Sequence, residues 1–339
     1  MATAPHRLTR RQFVQDAGVV ALGLFAGCQP PWSRPPPAAR SATLGFLVPG
    51  NAPGPKVRID AFRQGLAEQG YVEGQNLAIE FRFAAGQLEQ LPTLAAELVD
   101  ERVDVLFASS AAAAKAAKAA TTRVPLVMVA DGDPVGLGLV ASFAHPGGNL
   151  TGVSNMATEL SGKRLQLLTE VAPQARRVAV LWNSTRADMA ARVQEIRTAA
   201  QVSDVTLLPL GVERPEAFEP VLRAAEEARP DGLMAVLDPL TEQHQRRILD
   251  FAAAHGLPAI YEEREWAVAG GLMAYGPSIR DQYRRAADYV VRILHGAQPA
   301  ELPIAQAMTF DFAINLNPAQ ALGLTIPQHV LLQATEIIQ

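Results

Sequence analysis

Short apolar runs alternate with segments of helical periodicity along most of this 339-residue chain, and this alternation limits the folds that it can adopt. "TLGFLVP" (43–49) predicts a strand, and "RIDAFRQGLAEQGY" (58–71) predicts the helix that follows it. "DVLFAS" (104–109) and "AAAAKAAKAA" (111–120) repeat this succession. Strands that alternate with helices predict βαβ units, in which a parallel sheet lies between layers of helices.

The same rhythm begins again after "PGG" (146–148), without a detectable sequence repeat. The length, with 49% hydrophobic residues, allows two cores. We therefore predict an α/β fold of two doubly wound parallel-sheet lobes. Because "SIRDQYRRAADYVVRILHG" (278–296) and "MTFDFAINLN" (308–317) follow both lobes in the chain, they are expected to return to them and form a hinge with several crossings. The predicted boundaries are 43–153 plus about 276–305 for the first lobe, and 154–275 plus about 306–339 for the second.

The chain begins with features of an export signal. Residues 1–27 combine a basic start with a short apolar core and small residues, and "TRRQFV" resembles the twin-arginine signal. "LFAGC" resembles a lipobox, so we expect Cys28, the single cysteine, to carry a lipid after cleavage. Residues 28–42 then form a Pro-rich tether. These features predict a periplasmic protein held at the membrane by a lipid anchor; the alternative is an amphipathic first helix with a buried cysteine.

Composition and motifs exclude several functional classes. A net charge of −4 and a pI near 5.9 argue against a nucleic-acid partner, and no apolar run is long enough to cross a bilayer. "GLGLVA" (136–141) matches a dinucleotide fingerprint, but "DGDPV" separates it from its strand. No nucleophile and base, metal site or cofactor site is evident. A binding protein is therefore favoured over the alternatives, which are an exported enzyme and a ligand-sensing lobe of a membrane signalling protein.

Small polar residues recur immediately after the predicted strands. In an open parallel sheet, ligands bind outside the carboxyl ends of the strands. The residues at these positions that we expect to bind a ligand are Asn51, Ser109, Ser110, Asp133, Asn155, Asn183, Asp238 and Tyr275. The alternative for each polar side chain is an ordinary helix cap or turn, which the same residue types favour.

The types of these residues indicate a zwitterionic ligand such as an amino acid. Ser109 and Ser110 precede a polyalanine helix whose N-terminus can hold a carboxylate. Asp133 and Asp238, from opposite lobes, could balance a ligand cation. The aromatic side chains that could pack against its apolar part are Phe46, Trp182, Tyr261 and Tyr275.

Four long stretches resemble the tryptophan/tyrosine-type substrate-binding proteins of ABC importers. They are "FRQGLAEQGYVEGQNLAIEFRFAAG", "DGDPVGLGLVASFAHPGGNLTGVS", "GKRLQLLTEVAPQARRVAVLWN" and "YGPSIRDQYRRAADYVVRILHGAQPAELPI". The resemblance implies a type I periplasmic binding fold that closes around a small ligand, and a membrane permease as partner. It also implies ligand contacts for Ser109, Ser110, Asp133, Asn183, Asp238 and Tyr275. Asn155 stands where relatives often carry an acidic residue.

Overall fold

Two sheets organise the described part of the chain. The computed structural model describes residues 41–51, 56–130, 132–155 and 160–339. The predicted signal, Cys28 and all but the last two residues of the predicted tether lie outside these ranges. Among the described residues, no helix combines the length and apolar character that crossing a membrane requires.

The first sheet has six strands in the spatial order β11-β5-β4-β3-β1-β2, and all of its pairs are parallel. Its strands are β1 (Ala42–Val48), β2 (Leu77–Phe83), β3 (Val105–Ala108), β4 (Leu126–Ala130), β5 (Leu150–Ser154) and β11 (Ala305–Gln306). The helices packed on it are α1 (Lys56–Glu68), α2 (Leu91–Asp100), α3 (Ala111–Ala120) and α10 (Ile279–Leu294). This sheet and its helices are the first lobe.

Alternate residues of the first sheet face different helices, which explains why its inner strands β1, β3, β4 and β5 are largely apolar. Phe46 and Phe107 contact Phe62 of α1, and Phe107 also contacts Tyr283 of α10. On the opposite face, residues such as Leu47 join the core under α2 and α3. A strand covered on both sides is apolar at nearly every position, and in β1 the residues from Leu44 to Val48 are all buried and carry no polar side chain.

The second sheet has seven strands in the order β13-β12-β10-β9-β8-β6-β7, parallel except for the antiparallel pair of β10 with β12. Its strands are β6 (Arg177–Asn183), β7 (Thr206–Val212), β8 (Gly232–Ala235), β9 (Ala259–Tyr261), β10 (Met273–Pro277), β12 (Phe310–Asn315) and β13 (Glu336–Ile338). The helices of this second lobe are α4 (Ser161–Val171), α5 (Ala187–Val202), α6 (Phe218–Ala228), α7 (Pro239–Gln243), α8 (Gln245–Ala254), α9 (Arg264–Val268), α11 (Leu316–Ala321) and α12 (Gln328–Leu331).

Among the described residues, the chain passes between the lobes three times, after β5, after β10 and after β11. The crossings are tied together by backbone hydrogen bonds, since Ser278 N donates to Thr309 O (2.8 Å) and Ala307 N donates to Ser154 O (3.0 Å). The predicted α/β class, with two parallel-dominated sheets and a hinge of several crossings, is confirmed. The lobe boundaries given from the sequence remain predictions; β5, β10 and β11 each extend one or two residues past them.

Candidate ligand-binding cleft

A cavity of about 90 Å³ lies between the two lobes, at the carboxyl ends of their strands. Ser109 and Ser110 after β3 and Asn155 after β5 contribute to its wall from the first lobe. Asp238 after β8 and Glu262 after β9 contribute from the second lobe. The site therefore lies where the topology of parallel sheets predicts a ligand.

Four of the eight predicted ligand residues line this cavity: Ser109, Ser110, Asn155 and Asp238. Within the described ranges, the wall does not include the other four, which are Asn51, Asp133, Asn183 and Tyr275. The ligand contacts of all eight residues stay predictions, but the structure brings only the first four together.

The other four residues lie elsewhere. Asn51 and Asp133 are exposed, and Asp133 Oδ1 accepts the backbone N–H of Val135 (2.9 Å) in a turn. Asn183 is buried and donates to Asp238 Oδ2 (2.6 Å). Tyr275 stacks on Phe310. The structure therefore does not bring Asp133 together with Asp238 in the cavity wall, and their balancing of a ligand cation stays a prediction.

The two serines occupy the start of α3. Ser110 has an extended backbone, and its Oγ accepts the N–H of Ala113 (3.1 Å), so it is the N-cap of this ten-residue helix. Ser109 makes a side-chain hydrogen bond with Tyr283. Burial raises the pKa of Tyr283 above its ordinary value, so the phenol stays protonated. The positive end of the α3 dipole is thus placed at the cavity wall.

Asp238 caps a helix, which is the alternative to ligand binding for a polar residue at such a position. Its Oδ1 accepts the N–H of Thr241 (2.9 Å), and the Thr241 side chain bonds back to the Asp238 N–H, which forms a capping box at the start of α7. Burial raises the pKa of Asp238, while the hydrogen bonds from Thr241 and Asn183 lower it in part. Both carboxylate oxygens are therefore engaged within the second lobe.

A buried ion pair at the cavity wall was missed by the sequence analysis. Arg192 of α5 pairs with Glu262 and donates from Nη1 to Leu237 O (3.0 Å). Glu262 Oε1 accepts the N–H of Leu237 (3.1 Å) and lies 3.7 Å from Arg164 Nη1. Burial alone would raise the pKa of Glu262, but the two guanidinium groups bring it below its ordinary value. Glu262 is therefore an ionised carboxylate at the cavity wall.

A second set of charges crosses the cleft. Arg58 of α1 binds Glu263, which follows β9, and Glu242 of α7. Glu262 ends the strand that "PAIYE" (258–262) predicts, and Glu263 follows it, so both could have been found by the same rule that selected Asp238. Arg58 and Arg192 lie within helices, where an arginine gives no sequence signal of a site.

The aromatic side chains proposed for the ligand belong to the cores. Phe46 packs between Phe62 and Phe107, and Tyr261 stacks on Trp266 with ring centroids 4.8 Å apart. Trp182 packs against the core of the second lobe. In the part of the chain that the structure describes, Tyr283 is the aromatic residue that lines the cavity.

Comparisons with known proteins identify the family and the fold of the chain. The family model of the ABC transporter substrate binding protein matches residues 46–338. The chain is 24% identical over 263 residues to a tyrosine-binding protein of Clostridioides difficile (strain R20291), which covers 78% of this chain and 75% of that protein.

Two solved structures share both lobes. The ABC domain in complex with L-Trp from Streptococcus pneumonia superposes with a TM-score of 0.81 at 25% identity, covering 88% of this chain and 100% of that one. A conserved domain protein from Vibrio cholerae gives a TM-score of 0.81 at 26% identity, with the same coverage. The resemblance and the fold predicted from the sequence are both confirmed, and the chain belongs to the ABC transporter substrate-binding protein family.

Proposed function

We propose that this protein captures a small zwitterionic solute, such as an amino acid, in the interlobe cavity and delivers it to a membrane permease. The observation that carries the proposal is a cavity with contributions from both lobes and charged groups of both signs in its wall. The tyrosine-binding relative and the L-Trp complex support an amino acid as the ligand class.

The two sides of the cavity suit opposite ends of a zwitterion. The N-terminus of α3, with Ser109 and Ser110, offers N–H groups and a positive dipole end to a carboxylate. On the side of the second lobe, the wall carries the carboxylates of Glu262 and Glu263. Glu262 is paired with Arg192 and Glu263 with Arg58, so an ammonium group would share these carboxylates with the arginines or replace one of them. A ligand held from both lobes binds the closed form more tightly than the open form, so its binding favours closure.

The experiment is a thermal-shift screen of the twenty amino acids, followed by calorimetric titration of those that stabilise the protein. A ligand that binds only the folded chain raises the unfolding midpoint by mass action. Native mass spectrometry of protein purified from its own cells identifies a ligand that remains in the cleft.

Ser109→Ala is the variant that tests the carboxylate site, and Ser203→Ala is its control. Ser203 is the C-cap of α5, and its side chain donates to Ala199 O of the same helix (3.0 Å). We expect Ser109→Ala to weaken binding about fivefold, which corresponds to one hydrogen bond of about 1 kcal/mol. If no amino acid binds, the proposed ligand class is wrong. If Ser109→Ala binds like Ser203→Ala, the assignment of the carboxylate to α3 is wrong.

We further propose that the protein is exported and lipid-anchored through Cys28. We also propose that it releases its ligand chemically unchanged, as a binding protein and not as an enzyme. The support is the order of a basic start, an apolar core and "LFAGC" in residues 1–28. Mass spectrometry of the mature N-terminus tests for the lipid. Cys28→Ser is expected to move the protein from the membrane fraction to the soluble fraction, and an unchanged distribution would contradict the anchor.

A further inference from the structure

A second cavity adjoins the proposed ligand cavity between the lobes. This outer cavity has a volume of about 240 Å³, and it shares four wall residues with the inner cavity of about 90 Å³, namely Arg58, Glu242, Glu263 and Ile279. Sites for small ligands commonly enclose about 300–1,000 Å³, a volume that neither cavity reaches alone but that the two reach together. The outer cavity is therefore the neighbouring space into which a ligand held in the inner cavity can extend.

The wall of the outer cavity carries more negative than positive charge. Its carboxylates are those of Glu242, Glu263 and Glu265, and its cationic groups are those of Lys56 and Arg58. Lys56 is exposed, so water and salt screen its ammonium group. Arg58 is 14% exposed and divides its hydrogen bonds between Glu242 and Glu263. Within this wall, one buried guanidinium group therefore stands against three carboxylates.

Glu265 has a carboxylate oxygen that lacks a hydrogen bond. Its Oε1 is buried and accepts no hydrogen bond from the residues that the structure describes. Arg264 Nη1 lies 3.6 Å from this oxygen, but Arg264 makes its hydrogen bonds with the two carboxylate oxygens of Glu336. A buried acceptor without a hydrogen bond costs free energy, which a cationic donor from a ligand would recover.

The ionisation of Glu263 reflects the excess of negative charge. Burial, together with the carboxylates of Glu242 and Glu265, raises the pKa of Glu263 to about 7, although the Arg58 guanidinium opposes the rise. A positive charge close to a carboxylate favours its ionised form. A cationic group in the outer cavity would therefore be bound more tightly than a neutral group of the same shape.

Apolar side chains line the outer cavity beside these carboxylates. They are contributed by Val57, Trp266 and Ile279. The Trp266 side chain is held in place by its ring contact with Tyr261, at 4.8 Å between centroids. Lysine and arginine side chains bury their methylene stems along apolar surface and keep the charged head in polar surroundings. An apolar wall next to carboxylates suits a ligand side chain of this kind.

We propose that the ligand is an amino acid with a basic side chain, which lies in the outer cavity with its cationic group beside Glu263 and Glu265. The inference rests on the proposed function, since the inner cavity has to hold the α-carboxylate and α-ammonium groups of the same molecule.

The test compares amino acids that are similar in length and differ in charge. Calorimetric titration at pH 8 measures the binding of L-arginine against L-citrulline, in which a neutral urea group replaces the guanidinium group, and of L-lysine against L-norleucine. We expect the cationic member of at least one pair to bind about tenfold more tightly, as a charge-assisted hydrogen bond would give. Neutral members that bind as tightly as the cationic ones would overturn the inference and leave the proposed function in place.

Variants of the wall test the position of the cationic group. Glu265→Gln keeps the shape of the side chain and removes its charge, so we expect it to reduce the preference for the cationic ligand about tenfold. Gln245→Lys adds a positive charge to the same wall and is expected to act in the same direction, which keeps the test decisive if Glu265→Gln folds poorly by circular dichroism. Glu226→Gln, at an exposed position of α6, is the control and is expected to keep the preference of the parent.

The outcomes separate the inference from the proposed function. A preference that Glu265→Gln and Gln245→Lys both leave at the value of the parent would overturn the placement of the cationic group in the outer cavity. If no amino acid of either charge binds, the proposed function itself is wrong, and the inference is overturned with it.

Discussion

At the scale of single residues, Glu263 shows how burial and charge combine in the cleft. Burial raises the pKa of Glu263 to about 7, and Glu242 and Glu265 add to the rise, while Arg58 opposes it. The ordinary value is 4.5, so the folded protein binds more protons than the unfolded chain between these two values. The contribution of Glu263 to the free energy of unfolding is therefore largest below pH 4.5 and decreases as the pH rises towards 7.

This predicts a pH dependence of stability that Glu263→Gln removes. Urea unfolding at pH 5, 6, 7 and 8 is expected to show a midpoint that falls with pH in the parent protein more steeply than in Glu263→Gln. Glu226→Gln, at an exposed position of α6, is the control and is expected to keep the slope of the parent. Equal slopes in the parent and in Glu263→Gln would show that Glu263 does not titrate in this range.

Asp238 gives a prediction about stability that is separate from ligand binding. Asp238→Ala removes the cap of α7 and leaves Asn183 Nδ2 without its carboxylate partner. We expect a loss of about 2 kcal/mol in the free energy of unfolding, since lost caps cost about 0.5–2 kcal/mol and unsatisfied buried groups add to this. Asp238→Asn retains an oxygen acceptor for Thr241 and is expected to lose less. Urea unfolding of both variants checks the order, and equal losses would argue against the cap.

The site residues that the sequence predicted share one property, which is their position after a strand. Ser109, Ser110, Asn155 and Asp238 could be found in this way because strand ends converge at one edge of a sheet. The position does not tell where a side chain points, and Asp133 turns instead into its own loop. Arg58 and Arg192 could not be predicted because their function depends on carboxylates that are 205 and 70 residues away in sequence.

At the scale of helices and strands, the parallel core was predictable from the sequence, whereas the division of two long segments into shorter helices was not. The sequence "LTEQHQRRILDFAAAHG" (240–256) predicts one helix, but the chain forms α7 and α8. These helices meet at His244, whose ring stacks on Phe218 with ring centroids 4.2 Å apart. The sequence "PAQALGLTIPQHVLLQAT" (318–335) also predicts a helix, but the chain forms the two short helices α11 and α12 there. Gly323 adopts a positive φ of 65° after the first, and Pro327 precedes the second. The strand β13 that follows was not predicted, since three residues carry no periodic signal.

The contact of α1 with α10 depends on one glycine. A Cβ added at Gly65 would lie 2.8 Å from Ala287 Cβ and 3.0 Å from the backbone of Arg284, so the helices could not approach as closely. Gly65→Val is expected to lower the free energy of unfolding by about 1–3 kcal/mol through overpacking. Urea unfolding measures the loss, and Gln64→Ala, at the exposed neighbouring position, is expected to be nearly neutral. A neutral Gly65→Val would mean that the two helices can separate without cost.

At the scale of the whole molecule, the hinge and the ion pairs of Arg58 both act on the separation of the two lobes. The three crossings are joined by hydrogen bonds between Ser278 and Thr309 and between Ala307 and Ser154, so they would bend together. The alternation of strands and helices predicted two lobes, because each lobe buries its own apolar surface. It could not predict how far the lobes close, since this depends on polar contacts between segments distant in sequence.

The ion pairs of Arg58 lead to a prediction about the rate of ligand release. Arg58 of the first lobe binds Glu242 and Glu263 of the second lobe, so these contacts must break before the lobes separate and free a bound ligand. Arg58→Gln is therefore expected to raise the dissociation rate constant of the amino acid that gives the largest thermal shift, and stopped-flow mixing at pH 8 measures this constant. Arg63→Gln is expected to release the ligand at the rate of the parent, because its ion pair lies within the first lobe. A dissociation rate that Arg58→Gln leaves unchanged would mean that the cleft opens without breaking these ion pairs.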